Sequence, residues 1–290
     1  MTSLPWRFDH PPLIVAAITP LSAGGDGLDE DAVWPMWSFL SGHGADGVFA
    51  CGTTGEGINL SLDERRRLAV AFRAAVRGRL IVHAGAQTTR DTTALAAHAA
   101  EIGADGVAVI PPPYFPLDDA ALTAHFVAAA AACAPLPFFI YAFTGRSGYP
   151  VPTTVVERVA QGAANLAGLK VSESPFSTVE PYLDLGLPVL IGSEPLLPPA
   201  LARGAVGSVS GMAAAFPDVV RTALDAPGDA EPTLRQVRTA LEASGKFIAA
   251  AKHVLGLRGV PVKPDMRAPL QPLAAAEIGT LEAAVGPFLA

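Results

Sequence analysis

Gly103-Ala104-Asp105-Gly106-Val107-Ala108-Val109-Ile110 joins a helix-like run to a short apolar one. The same joint recurs as Gly44-Ala45-Asp46-Gly47 and, with valine in the third place, as Gly204-Ala205-Val206-Gly207. Its first glycine suits a helix C-cap, and the short loop then feeds a strand. A helix-to-strand joint used three times points to a repeated βα architecture.

Working outward from these joints, eight short apolar runs punctuate the chain, at residues 13–19, 47–51, 80–85, 106–110, 138–142, 167–171, 189–192 and 207–210. They are apolar throughout rather than alternating, as suits parallel strands buried on both faces. Their starts are spaced by about 18–34 residues. The intervening segments are amphipathic, most clearly residues 29–40, 61–76 and 90–102. Eight such units close naturally into a (β/α)8 TIM barrel. An open doubly wound sheet is the alternative, and no GxGxxG follows the first run to favour it. No further strand is evident after Pro217. Residues 1–217 therefore read as the barrel, and residues 218–290 as a C-terminal helical extension packed on it, broken around residues 256–264. No linker is long enough to demand a second independent domain.

The chain has 290 residues, half of them apolar and 16% charged, a globular composition with ample material for a core. Residues 126–143 form the longest uncharged stretch. Pro135 and Pro137 break it, so it reads as a helix end, a loop and a buried strand rather than a membrane span. The opening MTSLPWRFDHPP has no apolar core and no cleavage pattern, which makes the cytoplasm the expected compartment. Net charge is −7, and the basic residues are scattered apart from Arg65, Arg66 and Arg67, expected on a helix surface, so a nucleic-acid partner is not expected. Cys51 and Cys133 form no CxxC and read as buried free thiols. The six histidines show no metal-ligand spacing, and no metal is expected.

Chemistry in a barrel gathers at the carboxyl ends of the strands. The second strand ends in Cys51-Gly52-Thr53-Thr54-Gly55-Glu56-Gly57, whose small residues, hydroxyls and consecutive N–H groups suit an anion cradle or a tight turn. Ser61 and Glu64 supply a capping box for the next helix, so Thr53 and Thr54 are free for a ligand. Tyr141 closes the fifth strand as a proton relay or a rim tyrosine. Arg146 follows in a glycine-bounded loop, fit to grip a carboxylate or to make a salt bridge. Lys170 is the one lysine of four that interrupts an apolar strand. Burying an ammonium is costly, so Lys170 is either paired, with Glu173 or Glu194, or a neutral nucleophile for a carbonyl. Tyr114 stands in a proline-stiffened loop, as a lid, a subunit contact or rim packing.

Together these residues resemble the dihydrodipicolinate synthase / N-acetylneuraminate lyase family over roughly residues 12–275. The marks are Gly52-Thr53-Thr54-Gly55-Glu56, the segment from Tyr141 to Arg146-Ser147-Gly148, and Gly168-Leu169-Lys170. Gly192-Ser193-Glu194, the run from Gly204 to Ser210, and Arg267-Ala268-Pro269-Leu270 support them. The resemblance implies a class I aldolase or lyase with no cofactor beyond a covalent Schiff base between Lys170 and pyruvate. Tyr141 would move protons, and Thr54 would link it to Tyr114 reaching in from a neighbouring subunit. Gly52, Thr53 and Thr54 would hold the pyruvate carboxylate, with Arg146, Gly192 and Ser210 also at the substrate. The resemblance further implies a homo-oligomer, dimer or homotetramer, acting on pyruvate and a small aldehyde.

Three positions depart from the synthase pattern. Val171-Ser172-Glu173-Ser174 follows the lysine, Gly57 replaces a serine, and Phe115 is the second aromatic of its loop. The resemblance implies that these positions would surround the acceptor aldehyde. The resemblance therefore admits dihydrodipicolinate synthase proper, a keto-deoxy sugar-acid aldolase or dehydratase, and a barrel that binds keto acids without turnover.

Overall fold

A computed structural model describes residues 4–6 and 8–289, so the amino-terminal reading above falls partly outside the described residues. Eight parallel strands close into a barrel in sequence order: β1 Leu13–Ala16, β2 Gly47–Ala50, β3 Arg79–His83, β4 Gly106–Val109, β5 Phe138–Ala142, β6 Leu166–Val171, β7 Val189–Ile191 and β8 Gly207–Ser210. β8 pairs with β1 and shuts the ring. The expected (β/α)8 barrel is the observed fold. Several apolar runs outlast their strands because their last residues already belong to the loops of the barrel mouth.

Between the strands lie α1 Val33–Gly42, α2 Leu62–Ala75, α3 Thr89–Glu101, α4 Asp119–Cys133, the short α5 Thr144–Ser147, α6 Thr153–Gly162, α7 Glu180–Leu183 and α8 Leu197–Ala202. The three joints show why their glycines are there. Gly44, Gly103 and Gly204 have φ of 91°, 71° and 97°, the left-handed region that suits glycine. At each joint the next N–H reaches five residues back, from Ala45 to Leu40, Ala104 to Ala99 and Ala205 to Ala200. Where the third residue is aspartate, its carboxylate also accepts the N–H of a neighbouring strand, Leu13 for Asp46 and Leu80 for Asp105. Val206 leaves that brace out.

Alternate strand residues divide two cores. Ile14, Phe49, Ile81, Ala108, Phe139, Tyr141, Leu190 and Val209 fill the barrel interior. Their neighbours, among them Val15, Val48, Val107, Phe138 and Ile140, pack against the helices. Ser61 and Glu64 form the expected capping box. Arg65 does not stay on the surface. It lies on the buried face of α2 with Leu68, Ala69 and Phe72, and its guanidinium donates to the carbonyls of His83 and Gly85 at the end of β3.

The carboxyl-terminal part comprises α9 Pro217–Asp225, which packs on β1 and β8, then α10 Glu231–Glu242, α11 Phe247–Leu257 and α12 Ala275–Val285. The break is longer than expected, reaching from the end of α11 to Ala275. Pro261, Pro264, Pro269 and Pro272 explain it, since each removes an N–H that a helix needs. Among the described residues no helix is long and apolar enough to cross a membrane.

Candidate active site

The carboxyl ends of the strands and the tail helices enclose a cavity of about 900 Å³. Lys170 enters it through an irregularity in β6. Leu166 stands opposite Phe138, the register then shifts, and Gly168 stands opposite Phe139, which sets Lys170 beside Tyr141. Ala167 is the extra residue of this bulge. Gly168 fits there because a Cβ would lie 2.5 Å from the Pro188 carbonyl oxygen.

Lys170 is buried, with Nζ 3.8 Å from the ring centre of Tyr141 and 4.5 Å from that of Phe49. Among the described residues it has no carboxylate partner. The two carboxylates that sequence offered it are engaged elsewhere. Glu173 accepts the N–H and hydroxyl of Thr144 at 2.8 and 3.0 Å. Glu194, fully enclosed, accepts from the Ser210 hydroxyl at 2.7 Å, the Met212 N–H at 2.9 Å and Arg238 at 2.8 Å. The paired-lysine alternative therefore fails. What remains is an amine lying on two aromatic faces at the edge of a large cavity.

Tyr141 holds its ring edge-on to Phe49 and His83, so the phenol has one direction in which to point. Its hydroxyl lies 3.3 Å from Thr53 Oγ1. The link was expected from Thr54, but the adjacent hydroxyl makes it. Thr54 Oγ1 instead faces Gly211, where a Cβ would come within 3.0 Å. Both threonines border the cavity.

The cradle is bracketed by two left-handed residues, Cys51 at φ 60° and Glu56 at φ 54°. Four of its carbonyls accept hydrogen bonds from within the protein. His83 Nδ1 donates to that of Cys51 at 3.1 Å, the Gly57 N–H to that of Gly52 at 3.0 Å, the Glu56 N–H to that of Thr53 at 3.1 Å, and the Thr19 hydroxyl to that of Gly55. The N–H groups of Thr53 and Thr54 have no acceptor among the described residues, and free N–H groups in consecutive residues beside a cavity suit an anion. Burial, reinforced by nearby Arg65 and Lys170, holds His83 well below the usual histidine range, so it stays a neutral donor. Burial likewise pushes the Cys51 thiol up to about 11, which keeps it inert.

Arg146, on α5, is exposed, borders the cavity and stacks 5.6 Å from Phe143, with no carboxylate partner among the described residues. Gly192 borders the cavity too. A Cβ there would lie 2.0 Å from Ser172 Oγ and 3.3 Å from Lys170 Cε. Gly192→Ala is therefore expected to displace Ser172 against Lys170 and slow attack of the amine on the order of tenfold, measured as the rate of imine trapping. Ser210, expected at the substrate, does not border the cavity. It is fully buried and spends its hydroxyl on Glu194. Tyr114 does not reach the cavity of its own chain. It is 80% exposed at φ 83°, edge-on to Phe115.

Sequence reading missed His83, the Glu194–Arg238 pair and the part played by Lys252. Lys252 carried the same signal as Lys170, a lysine inside an apolar run, here Ile248 to Leu255. Among the described residues no cluster of three or more His, Cys, Asp or Glu side chains is arranged to hold a metal.

Residues 10–286 match the model of the dihydrodipicolinate synthetase family. The chain belongs to that family. Among its relatives, an uncharacterized DapA-like lyase of Halobacterium salinarum is 35% identical over 93% of this chain and 91% of the relative. The 4-hydroxy-tetrahydrodipicolinate synthase 1 of Streptomyces coelicolor is 33% identical over 89% of this chain and 87% of the relative. Among solved structures, that of YagE, an E. coli K12 prophage protein of the dihydrodipicolinic acid synthase family in complex with pyruvate, superposes with a TM-score of 0.90. It is 25% identical and covers 97% of this chain and 99% of that one. The protein is thus an enzyme of the dihydrodipicolinate synthetase family, a lyase of class I aldolase type.

Proposed function

We propose that this family member forms a Schiff base between Lys170 and pyruvate, and uses it to make or break a carbon–carbon bond to a carboxylate-bearing aldehyde. The observation that carries the reading is the position of Lys170 Nζ: buried, without a carboxylate partner among the described residues, beside the Tyr141 ring and at the edge of the cavity. Its amine adds to the pyruvate carbonyl carbon, the carbonyl oxygen leaves as water, and an imine results. The protonated imine withdraws electrons, so a methyl proton leaves and an enamine forms. The enamine carbon bonds to the aldehyde carbon, whose oxygen takes up a proton, and hydrolysis of the imine frees Lys170. Tyr141, with Thr53 beside its hydroxyl, moves these protons. The Thr53 and Thr54 N–H groups hold the pyruvate carboxylate. The imine itself is the electron sink, so no other cofactor is needed.

Arg146 favours an acidic acceptor, because it is a guanidinium at the cavity without a carboxylate partner among the described residues. Glu194, by contrast, is consumed by Arg238 and Ser210 and has little left for the hydroxyls of a sugar acid. The exposed Tyr114–Phe115 pair, held by prolines, supports a homo-oligomer in which this loop is covered by a second copy.

The test is incubation with pyruvate and borohydride, followed by peptide mass spectrometry. A reduced pyruvyl adduct on Lys170 is expected, and its absence with every keto acid tried would end this reading. Turnover of aspartate semialdehyde set against cleavage of keto-deoxy sugar acids then separates the acceptors. Arg146→Met is expected to lower kcat/KM for an acidic aldehyde roughly 10–100-fold while pyruvate trapping is unchanged.

A further inference from the structure

The cradle is held in shape from outside the barrel. Glu56 ends it in a left-handed conformation, and such backbone persists in a bulky residue only where the surroundings fix it. The Glu56 side chain is fully enclosed. One carboxylate oxygen accepts the Arg267 N–H at 2.8 Å, and the other lies 2.6 Å from Lys252 Nζ, which is also fully enclosed. Lys252 stands on α11 and donates in addition to the Asp265 carbonyl at 2.6 Å. Arg267, in the proline-rich break after α11, reaches on to Glu64 at the start of α2 at 2.5 Å. The tail therefore grips the segment from Glu56 to Glu64 at both ends.

We propose that Lys252 is a positioning residue for the substrate carboxylate: by holding Glu56 in its left-handed turn, it keeps the Thr53 and Thr54 N–H groups aimed into the cavity. The inference rests on the reading of that cradle as the pyruvate carboxylate site. It makes the tail a functional part of the active site, since its lysine acts on the ligand through the second strand's loop without touching the ligand.

The experiment uses the full chain as Lys252→Met and as the double variant Lys252→Met/Glu56→Gln, which leaves no unpaired carboxylate in the interior. Three quantities are read: pyruvate concentration for half-maximal borohydride trapping on Lys170, trapping of propanal (an aldehyde without a carboxylate) on the same lysine, and thermal midpoint. Both variants are expected to need at least about tenfold more pyruvate with propanal trapping unchanged, and the double variant is expected to regain thermal stability lost by the single one. Unchanged pyruvate saturation in the double variant would overturn the proposal, because the pair would then serve stability alone. So would pyruvate and propanal trapping falling in step. Failure of the unsubstituted protein to trap pyruvate would instead remove the functional reading on which the proposal stands.

Discussion

Lys170→Ala is expected to abolish pyruvate trapping and to lower turnover on the order of 10⁴-fold or more, while the protein stays folded. The loss is large because no other lysine among the described residues is free to replace it. Among the remaining lysines, Lys252 is locked on Glu56, Lys246 is paired with Glu277, and Lys263 is paired with Asp29 on an exposed surface. Folding is spared because Lys170 makes no ion pair among the described residues, so its removal orphans no buried carboxylate. Turnover and trapping both read the outcome. A variant that kept full turnover would exclude the imine mechanism, and one that unfolded would mean that the lysine chain supports the barrel interior.

Tyr141→Phe is the second large effect. The ring under Lys170 Nζ is retained, as are its edge contacts with Phe49 and His83. Only the hydroxyl and its contact to Thr53 disappear. Pyruvate should still bind, and kcat should fall by about 10²–10⁴-fold, with stability changed by no more than about 1 kcal/mol. Thr53→Val should lower kcat more than Thr54→Val, because Thr53 carries the hydroxyl next to the phenol. Equal losses, or a larger one at Thr54, would restore the relay first read from sequence.

The barrel was legible because its signals are local. Apolar runs, capping boxes and the glycine joints act over a few residues, and the joints repeat the same left-handed turn each time. The amine, the phenol and the threonines were legible for a related reason, since each stands at the carboxyl end of a strand. The errors concern contacts across sequence. Neighbouring threonines are alike in composition, and only the turn between Cys51 and Glu56 decides which of them meets Tyr141. Ser210 lies at a strand end like the site residues, yet Glu194 takes its hydroxyl. Arg65 looked like a surface charge because nothing local discloses that β3 leaves carbonyls for it. Lys252 and Arg238 sit far along the chain, and their roles follow only from where the tail folds back.

The bulge in β6 makes the chemistry a matter of parity. Phe138 faces the helices and Phe139 the barrel axis, and partners across a parallel ladder face the same way. Counted straight from Leu166 opposite Phe138, Lys170 would fall opposite Ala142, on the helix side. One additional residue, Ala167, moves it by one place and turns it inward to Tyr141. No substitution elsewhere in the strand performs that turn, since exchanging side chains leaves the count unaltered. Deletion of Ala167 would therefore turn Lys170 away from the cavity with its side chain intact, a loss of a different kind from Lys170→Ala, which keeps the register and removes the amine.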